Sequence, residues 1–205
     1  MNKLILASQS RYRLELLQEA GYEVEAIASN VAEPDPAGFA DLDAGLVHIA
    51  ALKARAVWRR GASGLIFAAD TVGFVAGEVF GKPADRADAR RMLNAISGTT
   101  HGVLTGWCLF RTEDQLQVSG VERTTITMRA WTDQEIRSYL DSGRWQGKSG
   151  AYGIQFSGDP FVTQIDGSRS NVAGVPLERL EQVLAAFMKP APEAPSMNPK
   201  GLPER

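Results

Sequence analysis

The sequence has very little sulfur or imidazole chemistry: Cys108 is its one cysteine, and His48 and His101 are its histidines. One thiol makes neither a disulfide framework nor a cysteine metal site, and its place in the apolar run GWCLF suits core filling in a reducing compartment. Two histidines are also too few for a histidine-based metal cage. Surplus positive charge is absent, with 22 Lys and Arg against 24 Asp and Glu and a net charge of -2. No general field holds a polyanion, so a nucleic acid polymer is not an expected partner, and any nucleotide must be bound locally. Hydrophobic runs long enough to span a bilayer are missing, so no membrane partner is expected. The opening MNKLILASQS lacks the apolar core and cleavage pattern of a secretory leader, which makes the cytoplasm the expected location. From residue 190 apolar residues all but vanish in PAPEAPSMNPKGLPER, so one folded domain is expected over 1–189, with a disordered proline-rich tail over 190–205.

What is present is an ordinary globular composition, 44% hydrophobic and 22% charged, in which strand-like and helix-like segments alternate without repeats. Lys3 to Ala7 reads as a buried strand, and Arg11 to Ala20 as a helix stopped by Gly21. A second helix runs from about Leu42 to Arg60, and VGFVAGEVF reads as a hairpin turning at its central Ala-Gly. Asp85 to Ile96 and Thr132 to Leu140 are helical, the latter opened by a Thr132/Glu135 capping box. Gly102 to Phe110 and Val118 to Met128 pair as strands, and Leu177 to Phe187 forms the last helix. The pattern is that of an α/β protein with a mixed sheet and flanking helices.

Charges in costly places mark candidate functional residues. In GLIFAADTVGF an apolar run, Leu65 to Ala69, ends abruptly in Asp70. If a parallel strand ends there, Asp70 faces the crevice where such sheets bind ligands; capping of the next turn is the alternative. Ser10 suits an N-cap, which puts Arg11, Tyr12 and Arg13 in a first helical turn whose dipole they oppose. Free N–H groups there, with the Ser8 and Ser10 hydroxyls and two arginines, form an anion site suited to phosphate, unless the arginines are simply solvated. Lys53 falls inside the apolar stripe of Leu46, Ile49, Ala50 and Val57, where it either snorkels or is directed into a cleft toward a partner. Lys82, in VFGKPAD, sits on a stiffened turn. The triplet GKS at 147–149 resembles a phosphate loop, but Ser142 stands where its first glycine belongs and a helix precedes it. That leaves Lys148 available to a phosphate and Gln155 available to a base edge or to its own loop. Cations with an acid are what metal-assisted chemistry on a nucleotide phosphate requires.

Together LILASQSRYRLELL, AADTVGFVAGEVFGKP, SGTTHGVLTG, KSGAYGIQ and SRSNVAGVPL, in this order, resemble the Maf family of nucleoside triphosphate pyrophosphatases over residues 3 to 187. The resemblance implies an elongated mixed sheet in two lobes about a cleft, and divalent-metal-dependent hydrolysis of nucleoside triphosphates to monophosphate and pyrophosphate. It implies Asp70 as proton acceptor, with Ser8, Arg13, Glu33, Lys53, Lys82 and Gln155 lining the site. Glu33 and Asp70 would hold Mg²⁺ or Mn²⁺. The alternative is a nucleotide-sensing regulator of cell division without turnover. A nucleoside triphosphate is the expected partner, with assembly as a homodimer left open. The first block departs from the family's usual Ser-x-Ser-Pro-Arg-Arg, since Tyr12 replaces an arginine and the proline is lost. Thr71 and Gln155 match the branch acting on dTTP and UTP, while an aromatic residue at Tyr12 matches a branch acting on 7-methyl-GTP. The expected outcome is broad specificity favouring pyrimidine triphosphates, with the Tyr12 ring stacking on the base and Thr71 and Gln155 at its edge.

Overall fold

The computed structural model describes residues 3–154 and 158–187, so the tail expected from residue 190 lies outside the described residues. Seven strands make one mixed sheet. β1 (Lys3–Leu6), β2 (Glu23–Ala26) and the first part of β3 (Leu65–Val75) run parallel. On its other side β3 pairs antiparallel with β5 (Thr100–Arg111), followed by β6 (Leu116–Met128) and β7 (Val162–Asp166). β4 (Glu78–Phe80) folds back onto the end of β3. Its hairpin turns at Ala76 and Gly77, both with positive φ, at the Ala-Gly where the turn is expected.

Helix ends follow local chemistry. α1 (Arg11–Glu19) is capped by the Ser10 side chain on the Arg13 N–H, and Gly21 follows it at φ +87. α2 (Leu42–Arg59) is capped by Asp41, and α3 (Arg86–Ile96) by Asp85. In α4 (Asp133–Asp141) both bonds of the Thr132/Glu135 capping box are made. Two further helices, α5 (Arg169–Val172) and α6 (Leu177–Phe187), follow among the described residues. The sequence pattern had not revealed β2, β7 or α5. All are short, and neither β2 nor β7 has a buried residue, so their apolar alternation is weak.

Two lobes share this sheet. In one, Leu4, Leu6 and Phe67 pack under α1 and α6, while Ile66, Ala68 and Cys108 pack under α2 on the opposite face. In the other, Phe80, Leu93, Ile126 and Trp131 join α3 and α4 to the far ends of β3, β5 and β6. Gly106 sets the depth of α2, because a Cβ there would lie 2.4 Å from the Leu46 carbonyl carbon. No helix among the described residues is long and apolar enough to cross a membrane.

Candidate active site

Asp70 does not end a strand, as its sequence context suggests; it lies inside the eleven residues of β3. β3 continues because β5 pairs with it throughout, Asp70 lying opposite Gly106. Its other edge is interrupted. β1 pairs with β3 only as far as Phe67 and β4 only from Gly73, and among the described residues no strand covers the interval between them. A carboxylate is tolerated in mid-strand because the sheet is open there. A cleft of about 790 Å³ enters at this gap and is lined by Ser8, Tyr12, Arg13, Glu33, Lys53, Asp70, Thr71, Lys82 and Lys148. Gln155, expected beside them, lies outside the described residues.

The strand's period of two places Asp70 and Thr71 on opposite faces of the sheet. Asp70 faces α2, where Lys53 stands in the buried stripe of Leu46, Ile49, Ala50 and Val57. The Lys53 ammonium is 2.6 Å from Asp70 and 2.7 Å from Glu33, so it holds two acids brought from different loops and strands. Its side chain is 7% exposed, against 16% for Asp70 and 43% for Glu33, so the triad is dry at its base and open toward the cleft. A buried ammonium needs such partners, which settles the choice between snorkelling and a directed charge. Asn30, with φ 51, turns the loop that carries Glu33, and Arg60 fastens the same loop through the Ala28 and Ser29 carbonyls.

Thr71 faces α1. There the half-buried Arg13 guanidinium donates to the Gly174 carbonyl at 2.9 Å, to the Ser8 hydroxyl at 3.4 Å and to the Thr71 hydroxyl at 2.9 Å. Burial pushes the Arg13 pKa below its ordinary value, and the Asp70 and Glu33 carboxylates pull it back up. Arg11 departs from the expected anion site, since its side chain turns outward to pair with Glu15. Gly174 has φ +95, and a Cβ on it would lie 2.8 Å from the Arg13 Nε, so only glycine fits beneath the guanidinium.

The second lobe reaches across in two places. Ser149 donates to the Thr71 carbonyl at 2.5 Å, and the Lys148 ammonium lies 3.2 Å from the centroid of the Tyr12 ring. Ser149–Ala151 is a single 3-10 turn with Gly150 in a left-handed conformation, not the helix start a phosphate loop requires. Tyr12 is exposed and lines the cleft, with Lys148 over its ring rather than a ring free on both faces. Lys82, exposed just beyond β4, lines the same cleft as Lys148. Gly174 and Tyr152 in the cleft lining, and Thr105 buried behind Thr71, are among the residues not singled out from sequence. Each sits within a block that carries the family resemblance, which was the available signal. His101 also lines the cleft; it is buried, and that burial lowers its pKa.

A family model described as Maf-like protein matches residues 3–187. The chain belongs to the Maf family. It is 42% identical over 185 residues to a dTTP/UTP pyrophosphatase of Rhodopirellula baltica, covering 90% of this chain and 82% of that relative. Similar relatives with the same name occur in Geotalea uraniireducens, at 40% identity over 86% of this chain and 90% of the relative, and in Symbiobacterium thermophilum, at 41% over 93% and 96%. Among solved structures, the Staphylococcus aureus Ham1 protein matches with a TM-score of 0.52 at 15% identity, covering 90% of this chain and 99% of that one. That likeness shows that this Maf chain shares the Ham1 fold.

Proposed function

We propose that the protein hydrolyses nucleoside triphosphates, dTTP and UTP foremost, to the monophosphate and pyrophosphate, using Mg²⁺ or Mn²⁺. The observation that carries this is the pair of carboxylates, Asp70 and Glu33, converging on one ammonium in a cleft whose other walls bear Lys82, Lys148 and Arg13. The relatives' activity and the family's chemistry support the same reading.

The donor set fits a hard divalent cation. Mg²⁺ keeps most of its waters and takes few carboxylates plus substrate phosphate oxygens, and two acids already held together by a cation form such a sparse set. Glu33 and Asp70 would hold the metal, which supplies neutralisation of phosphate charge and acidification of water. Asp70 accepts the proton of the water that attacks the α-phosphorus. The bond from that phosphorus to the oxygen bridging to the β-phosphate breaks, and pyrophosphate leaves with the bond's electron pair. Lys53 holds the Asp70 carboxylate in place, while Lys82 and Lys148 face the leaving pyrophosphate. Arg13 has five N–H donors and uses three on protein acceptors, which leaves two for a phosphate.

The test is product analysis of purified protein with UTP or dTTP and Mg²⁺. Equimolar UMP and pyrophosphate are expected. UDP with inorganic phosphate would overturn the reading, and nucleotide binding without product would replace it by the sensor.

A further inference from the structure

The Thr71 hydroxyl is held from two sides. It accepts from the Arg13 guanidinium at 2.9 Å, and its Oγ1 lies 3.0 Å from the Oγ1 of Thr105, a residue with no solvent exposure. Thr105 in turn lies 3.2 Å from the Asn171 carbonyl oxygen. Asn171 is itself held in place, because its side-chain NH2 group lies among three acceptors, the Val103 and Glu122 carbonyls at 3.3 Å and the Thr124 hydroxyl at 3.1 Å.

The distance between the two hydroxyls leaves the donor undefined, but the ends of the chain define it. A guanidinium can only donate, and a carbonyl can only accept. A hydroxyl that receives a hydrogen bond from a cation becomes a better donor and a poorer acceptor. The consistent order therefore runs one way: Arg13 to Thr71, Thr71 to Thr105, Thr105 to the Asn171 carbonyl. In the reverse order Thr71 would accept twice while its own proton sought a partner in the cleft. With one proton given and one lone pair taken, Thr71 presents only its remaining lone pair to a ligand.

We infer that Thr105 is a positioning residue that fixes the Thr71 hydroxyl as a hydrogen-bond acceptor, and that the cleft thereby selects an imide N–H in the base of its substrate. The inference rests on the proposed nucleotide hydrolysis and on the expectation, drawn from the family resemblance, that Thr71 stands at the base edge. Uracil and thymine carry N–H at N3, whereas cytosine presents a lone pair there, so two acceptors would face each other and one would stay unpaired. A site built to pair one polar group rejects the analogue lacking it more strongly than apolar fit alone can.

The experiment compares kcat/KM for UTP, CTP and 3-methyl-UTP, which lacks the N3 proton, in the wild type, Thr105→Val and Thr105→Ser. The wild type should prefer UTP to the other two by at least about tenfold, on the scale of one net hydrogen bond. Thr105→Val, nearly isosteric, frees the Thr71 proton to rotate and should reduce the UTP-to-CTP ratio by about tenfold. Thr105→Ser should restore it. A wild type that accepts CTP or 3-methyl-UTP as readily as UTP overturns the inference without need of any variant. So does a Thr105→Val protein that loses activity on UTP and CTP in equal proportion, or that keeps its ratio. Absence of turnover on every triphosphate would instead overturn the pyrophosphatase reading, a separate and recognisable outcome.

Discussion

The two faces of β3 at the cleft differ in kind, although Asp70 and Thr71 are neighbours in the chain. Toward α2 lies an ionic cluster of one ammonium and two carboxylates. Toward α1 lies a chain of hydrogen bonds that starts on a guanidinium and passes through two hydroxyls to a carbonyl. The first arrangement can move charge and protons; the second can only present fixed donors and acceptors. Alternation along a strand normally separates inside from outside, but where a sheet edge is open both faces border one cavity, and the period of two divides chemistry from recognition.

That division is most exposed to failure at Asp70. Asp70→Asn should reduce turnover at least about a hundredfold, the scale of a positioned acid or base, with the fold kept and the preference between UTP and CTP unchanged. A shift in that preference would show that the faces are not separate. Lys53→Met leaves Asp70 and Glu33 facing each other. Breaking a buried pair costs about 3 to 5 kcal/mol, and since Glu33 is 43% exposed a loss of roughly 2 kcal/mol is expected here. For a chain of this size that lowers Tm by about 5 °C. Mg²⁺ should raise the Tm of this variant more than that of the wild type, because a dication can take the place of the ammonium between the acids. Equal increments, read by calorimetry, would speak against the two acids as metal ligands.

On the other face, Arg13→Lys should lower kcat/KM about tenfold, because an ammonium cannot reach the Gly174 carbonyl, Ser8 and Thr71 together in the guanidinium's planar geometry. The comparison predicts that base preference moves as well, unlike in Asp70→Asn. The smallest effect belongs to His101, buried in the cleft wall on the Thr71 face. Its pKa is lowered by burial, so below an ordinary value of about 6.5 the unfolded chain binds a proton that the folded chain refuses. Its contribution to stability is therefore present above that value and falls as pH falls, by no more than about 1.4 kcal/mol per pH unit. Denaturation of wild type and His101→Gln between pH 7 and 5 should show a shallower decline for the variant.

Much of this was legible in the sequence because it is local. The Thr132/Glu135 capping box, the Ser10 cap, the Ala76-Gly77 turn and the stripe on α2 each depend on residues within a turn or two, and the alternation of such signals carries the α/β class. Local pattern also marked Asp70 and Lys53 as charges in apolar surroundings, without showing that they meet. Tertiary structure decided what depends on distant pairs. That Asp70 lies inside a strand rather than at its end follows from pairing with β5, and that Glu33 shares its ammonium follows from the path of a loop with no periodic signal. Arg13 and Gly174, 161 residues apart, had to be brought together before the guanidinium had a defined direction. Thr105 reads as one more strand residue until Asn171 arrives from 66 residues away to accept its proton. Propensity and periodicity act over a few residues, whereas the sense of a hydrogen bond is set by whatever lies at its far end.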